Sequence, residues 1–298
     1  MILGRVTQNA LVRTLTASTG RLQGELVRAQ AVVSSQKRIQ TASDDPIGTA
    51  LVNALRGESS RLQAVLENVG FGQAVLGTQD GALAEAGLIL TRAREIAQQF
   101  SNDTVGIEAR QAAAEEVAEL ERAMILLANT SISGRHVFGG LATGAAPFTA
   151  FDDPGFDPAT AYTGPADPFT VLSAPGQEFR LTTPGDQIFT PALEALDDLR
   201  QTLAAGDSPD GTITALVAAG DRIAEERASV GGRWNRLNAR DAEIRDGLVS
   251  VQTRRGSVED ADLARAISEL TQIQYALQVT LTAGRALLGA SVLDFLGP

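Results

Sequence analysis

Asp44 and Asp45 stand side by side before Pro46. A pair of carboxylates can do acid–base work or hold a hard cation. Adjacent loop residues point in different directions, so a shared site would need further ligands, and none can be identified. Ser43-Asp44-Asp45-Pro46 reads instead as a helix start. Ser43 or Asp44 is then the N-cap and Pro46 lies in the first turn, where acid also favours the macrodipole. Glu115, Glu116, Glu119 and Glu121 have the helical spacing of a carboxylate metal cluster. They alternate with Ala and Leu and have no histidine partner, which makes them a solvated helix face. His136 is the one histidine and sits in a glycine-flanked segment, where a structural role is expected. There is no cysteine in the 298 residues, which excludes disulfides, thiolate zinc sites and a cysteine nucleophile. One histidine also excludes a two-histidine metal site within the chain and an HExxH motif. Lys37 is the single lysine beside 24 arginines and the only candidate for a Schiff base. No catalytic, cofactor-binding or metal-binding residue is assigned, no cofactor is expected, and the chain is not expected to be an enzyme.

The elements that carry these residues are helical. Leu55, Leu62, Val69, Leu76, Leu83, Leu90 and Ala97 recur every seven residues, with Leu66 beside them. A second series is Leu216, Ile223, Val230, Leu237, Ile244 and Val251, widened by Leu248 and by Trp234, which is expected in the core. Seven residues are nearly two helical turns, so each series is one apolar stripe that must lie against another helix. A shorter helix is expected over 106–129, with Ile107, Ala114, Val117, Leu120, Met124 and Leu127 inward, after a turn at Ser101-Asn102-Asp103-Thr104. Three antiparallel helices would then bury the stripes together. Gly70, Gly72, Gly77, Gly81, Gly87, Gly231 and Gly232 interrupt these helices. Each costs about 1 kcal/mol against alanine. They mark either a break or a close approach of backbones.

Both ends have the same character. Val12, Leu15, Leu22, Leu26 and Val33 follow helical spacing, as do Leu263, Ile267, Leu270, Leu277, Leu281 and Leu288. Ser257 with Asp260 reads as a capping box opening the last helix. Each terminal helix is rich in Ala, Thr and Gln and should be marginal unless packed. The middle differs. Eight of eleven prolines lie between Pro147 and Pro191, which excludes a long helix there. Phe169–Leu172 and Glu178–Thr182 read as short strands, and helix resumes at Thr190-Pro191.

Net charge is −11, with a sequence pI of about 4.7, which argues against general affinity for nucleic acid. That average conceals an asymmetry. Residues 1–40 carry six basic residues and Glu25 alone, while 141–190 carry six acids and Arg180 alone. The basic helix lacks Trp and Phe, so no membrane binding is expected. No stretch reads as a signal-peptide core or a membrane span.

Three motifs resemble one family. Ser35-Gln36-Lys37-Arg38-Ile39 followed by Ser43-Asp44-Asp45-Pro46 resembles the flagellin-superfamily segment between the terminal coiled coil and the rod. The proline after two aspartates is more similar to the hook-associated protein 3 branch. Gly134-Arg135-His136-Val137-Phe138-Gly139-Gly140 resembles that branch's exit from the rod, with His136 in place of an aromatic. Ser291-Val292-Leu293-Asp294-Phe295-Leu296 resembles its C-terminal ending. The resemblance spans roughly 1–140 and 191–298.

It implies a mainly α structural protein: a long antiparallel helical bundle with terminal coiled-coil helices and a small β-rich inserted domain. The domains would be 1–45 with 255–298 (terminal coiled coil), 46–140 with 191–254 (helical rod) and 141–190 (acidic outer domain). Assembly would run through Val12, Leu15, Leu22, Leu26, Val33, Leu263, Ile267, Leu270, Leu277, Leu281, Leu288 and Phe295, with Ser43, Asp44, Asp45 and Pro46 as linker cap. Implied partners are further copies of the chain, hook-associated protein 1, flagellin and a type III export chaperone or apparatus. The implied place is the extracellular flagellum, reached without a cleaved signal peptide, at the junction of hook and filament. Flagellin itself and a type III secreted helical-hairpin effector or tip protein are the alternatives.

Overall fold

The computed structural model describes residues 2–101, 106–174 and 176–296, without the side chains of 2–9, 11, 174 and 287–296. Asn102, Asp103 and Thr104 of the expected turn lie outside the described residues, as do the side chains of Leu288 and Phe295. The helices are α1 (Ile2–Ser35), α2 (Pro46–Phe100), α3 (Ile107–Ala128), α4 (Asp186–Ala205), α5 (Ile213–Glu259) and α6 (Leu263–Leu296). Two antiparallel hairpins pair β1 (Ser131–Ile132) with β2 (Arg135–His136) and β3 (Thr170–Ala174) with β4 (Gln177–Arg180). The chain divides into two compact units, 1–60 with 249–298, and 61–248.

The larger unit is built on the two stripes. Val69, Leu76, Leu83, Leu90 and Ala97 of α2 are buried, as are Leu216, Ile223, Val230, Leu237 and Ile244 of α5. Four helices cover them rather than the expected three, because α4 packs along α3 and supplies Leu193, Leu196, Leu199 and Leu203. α4 begins at Asp186, before the expected Thr190-Pro191 start, so Pro191 lies inside it. Proline has no N–H for the carbonyl four residues back. That carbonyl, on Gln187, accepts instead from Arg222 Nη1 of α5 at 3.3 Å. Gly206 (φ +83°) ends α4 in the left-handed region, with its N–H on Leu203 and that of Asp207 on Thr202.

α2 and α5 run unbroken through their glycines. Close approach holds at two of them. A Cβ on Gly72 would stand 2.9 Å from Leu237 Cδ1, and one on Gly77 would stand 3.5 Å from Trp234. Gly70, Gly81, Gly87, Gly231 and Gly232 face open space. Trp234 is half-buried over Gly77 rather than in the core, and its neighbour Arg233 takes the buried position. Ile107, expected inward, is exposed.

The middle segment packs into the same core instead of standing clear of it. Phe138, Phe148 and Phe189 meet edge to face at 4.8 and 6.1 Å. Asn129 at the end of α3 pairs with Phe148 as a strand would, donating from Nδ2 to its carbonyl and accepting its N–H, both at 2.9 Å. His136 Nδ1 lies 2.7 Å from the Asn129 carbonyl oxygen, a structural contact. Gly140 (φ +57°) sits where a Cβ would stand 2.6 Å from the Pro165 carbonyl oxygen, so only glycine fits there. β3–β4 sits against α5 through Arg233, whose Nη1 donates to the Leu181 carbonyl at 3.1 Å and whose Nη2 pairs with Glu226.

Glu121 departs most from its expected place. It does not lie on a solvated face with Glu115, Glu116 and Glu119: it is fully buried, one oxygen on Arg200 Nε at 3.1 Å and the other without a hydrogen bond. Burial pushes its carboxyl from 4.5 up to about 7, against the pull of Arg200 and with a push from Asp197. Among the described residues no group of three or more His, Asp or Glu is placed to hold a metal ion. A carboxyl raised in the native state binds its proton more tightly than in the unfolded chain, so stability falls as pH rises from about 4.5 to about 7. Glu121→Gln should flatten that slope and raise Tm at pH 8 by about 2–4 °C. Thermal melts from pH 4.5 to 8 check this; an unchanged slope would contradict it.

Candidate functional site

The smaller unit holds the residues singled out for assembly. α1 ends at Ser35, and Gln36 turns the chain with φ +59°, a conformation rare outside glycine. Its carbonyl accepts from the N–H of Ala261, and the N–H of Arg38 donates to the Glu259 carbonyl, at 2.9 and 2.8 Å. Lys37 and Asp260 form the isolated antiparallel bridge between them. The linker is therefore stitched to the turn between α5 and α6.

The side chains converge on Glu259. It is 6% exposed and takes Lys37 Nζ and Arg56 Nη2 on one oxygen, each at 2.7 Å, with Arg255 at 3.5 Å from the other. Three cations from three segments around one buried carboxylate form a hub. The hydrogen bond from Lys37 holds its carboxyl below the usual value, with Arg56 adding to the effect. A depressed carboxyl stabilises the fold above its unfolded value of 4.5, and that contribution is lost as pH falls through the lower native value.

The four cap residues divide their tasks. Asp45 is the N-cap of α2: its Oδ1 accepts the Gly48 N–H at 2.8 Å and its carbonyl accepts that of Thr49. Its Oδ2 also takes Arg38 Nη2 at 3.0 Å. The Gly48 N–H first, then Arg38, hold its carboxyl below the usual range. Asp44 is not a cap. Its Oδ2 accepts the N–H groups of Thr41 and Gln40 at 2.8 and 3.1 Å and closes the preceding loop, which lowers its pKa too. Ser43 shares a hydrogen bond with Thr41, and Pro46 opens α2. Ser257 and Asp260 do not open α6. Ser257 lies inside α5 with its hydroxyl on the Arg254 carbonyl, and Asp262 caps α6 by accepting the Arg265 N–H.

α1 and α6 pack together as a pair. Leu15, Leu22, Leu26 and Val33 are half-buried, as are Leu270 and Leu277. Leu15 lies tight against Gly284, where a Cβ would stand 2.6 Å from it. The other assembly residues face outward: Val12, Leu263, Ile267 and Leu281 are exposed, Ile267 at 52%. Spacing alone did not single out Val27, Tyr275 and Val279, which are also exposed, Tyr275 at 68%. On α6, Leu263, Ile267, Tyr275, Val279 and Leu281 are apolar and exposed; Leu263 to Val279 turns through about 160° and Thr271 breaks the spacing, so they are spread around the uncovered side rather than aligned. One stripe was expected on this helix; Leu270 and Leu277 of it are half-buried, and Leu263, Ile267 and Leu281 are bare. No helix among the described residues is long and apolar enough to cross a membrane.

Such a helical hairpin continued by long striped helices has known counterparts. Residues 6–143 match the model of the bacterial flagellin N-terminal helical region. The match takes in just under half of the chain and makes that part similar to the flagellin region. The flagellin of Listeria monocytogenes is 27% identical to this flagellin-like chain over 86% of its length and 86% of that protein. Among solved structures, Bacillus cereus FlgL superposes with a TM-score of 0.56 and 20% identity, covering 66% of this chain and 96% of that one. The flagellar junction protein FlgL of Legionella pneumophila gives a TM-score of 0.56 and 13% identity, over 70% and 99% of the two chains. At these identities the flagellin-like chain shares a fold with the solved structures.

Sequence reading passed over Glu259 and Arg56, because nothing local marks a carboxylate that gathers partners from distant segments. The lone lysine, Lys37, was the available signal. Glu259→Ala should open the linker, and trypsin should then cut at Lys37 and Arg38 about tenfold faster, the equivalent of about 1.4 kcal/mol. Arg254→Ala removes only an exposed pair with Glu58 and should leave that rate unchanged. Timed digestion of the three proteins gives the comparison, and equal rates for Glu259→Ala and wild type would remove the hub from the account.

Proposed function

We propose that this chain is a structural subunit of the bacterial flagellum, exported without a cleaved signal peptide by a type III apparatus. It forms the junction between the hook, at hook-associated protein 1, and the flagellin filament. The observation that carries the reading is the fold, which it shares with junction proteins over nearly their whole length. The bare apolar side chains of α6 support it, since several of them on one helix fit association with other helices. In this reading 1–45 with 255–298 packs with further copies into an inner tube. Residues 46–254 form the surrounding rod, with the middle segment 141–190 packed on its core. Nothing is catalysed: the subunit holds shape and matches two different neighbours.

The Listeria flagellin, alike over most of both chains, favours a second reading as bulk filament subunit. A deletion strain separates the two. Loss of a junction leaves bare hooks and flagellin monomers in the medium, and antibody to this chain labels wild-type flagella only at the hook's end. Label along the whole filament would instead make it the bulk subunit. Motile cells with normal filaments would refute both.

A further inference from the structure

Residues 61–248 carry two charged features that the fold does not use. The first lies between β4 and α5. Two adjoining clefts of about 480 and 510 Å³ share Glu178, Phe179 and Arg236 in their walls. Arg233 in the wall is 4% exposed and committed to Leu181, Thr183 and Glu226. Arg240 is committed to Glu243 and Gln177. Arg180 and Arg236 remain. Arg180 is exposed and donates through Nε to the Thr182 carbonyl at 3.4 Å. Arg236 is exposed, and its guanidinium lies over the Phe179 ring at 5.4 Å, with no carboxylate partner among the described residues. A guanidinium over a ring keeps N–H groups for a carboxylate. Arg180 and Arg236 stand against one unpaired acid, Glu178.

The second feature is the turn around Asp152, Asp153 and Asp157, all exposed. It is held in shape before any partner arrives. Phe151 sits between Arg122 and Arg200, with guanidinium carbons 4.7 and 5.7 Å from its ring centre, and Asp152 pairs with Arg122 at 3.2 Å. Asp153 accepts the Ala150 N–H and Asp157 that of Ala159. Each of these two carboxylates keeps acceptor positions free. No Lys or Arg occurs between Arg135 and Arg180.

The turn is fastened to α3 and α4, through Arg122 and Arg200, and the cleft belongs to α5 and β4. No residue of the turn lines either cleft, so within one chain the two stand apart. Complementary patches at different places on one subunit make a heterologous contact, which propagates from copy to copy. We propose that the cleft beside Phe179 receives the 152–157 turn of a second copy of this chain, with Asp153 and Asp157 held by Arg180 and Arg236. Exposed charge pairs are individually weak, so the contact forms only where assembly holds copies at high effective concentration. It rests on the reading of the chain as a subunit of a homo-oligomeric flagellar layer.

The natural chain has no cysteine, which makes cross-linking clean. A chain with Asp153→Cys and Arg236→Cys, expressed in the deletion strain, is treated with a short bismaleimide on isolated flagella. The expected result is a ladder of multiples of this chain, with no ladder from either single variant. In parallel, R180E with R236E should reduce the fraction of hooks bearing filaments several-fold, and adding D153R with D157R should restore at least half of the loss. Filaments with normal frequency and no ladder overturn the docking while leaving the flagellar reading intact. Failure of the double swap to restore filaments also overturns it, as does cross-linking of Arg236→Cys alone to a different flagellar protein. A wild-type chain absent from flagella overturns the reading beneath it, a distinguishable failure.

Discussion

An apolar side chain every seventh residue has to be covered, and how far each helix succeeds explains the rest of this molecule. In residues 61–248 the stripes of α2 and α5 meet α3, α4 and the phenylalanines of the middle segment, and Leu76, Leu83 and Leu237 are wholly buried. In the terminal unit α1 and α6 have only each other. Two helices cover one face apiece, and Ile267, Tyr275 and Val279 are left in water. Fully burying such a side chain contributes about 1.5–3 kcal/mol. Uncovered side chains of this kind are therefore a standing drive towards association.

Charge does what burial cannot, which is to fix where helices begin and turn. Glu259 draws Lys37, Arg56 and Arg255 to one point, while Asp45 and Asp44 each close a turn of the linker with backbone N–H groups. In a chain without cysteine this polar stitching takes the place that cross-links hold elsewhere. The acidic average that dominates the composition divides on the folded chain. The turn at Asp152–Asp157 gathers acid, and the β4–α5 cleft gathers arginine.

The long helices were legible because periodicity is a property of the whole stripe: every stripe leucine from Leu76 to Leu90 is buried as its spacing requires. Helix starts were less legible, since several polar residues compete for each cap. Asp45 rather than Ser43 or Asp44 caps α2, Asp262 rather than Ser257 caps α6, and α4 begins before the proline that was expected to open it. Glu121 was legible but passed over, since it lies seven residues after Ala114 and three before Met124 on the buried stripe of α3; only its partner Arg200, in a helix far along the chain, carried no local sign. The exposed apolar side chains of α6 were hidden for a different reason. Spacing identifies apolar residues on a helix but not which of them find a partner.

The central claim is that the terminal pair is only half covered in the free chain and completed by neighbouring copies. Hydrogen exchange on the free chain and on isolated flagella tests this directly, because protection reports local opening. The account predicts strong protection across 61–248 in both samples. It predicts fast exchange over 12–33 and 263–286 in the free chain, with strong protection there after assembly. Equal protection of the terminal helices in the free and assembled states would contradict it.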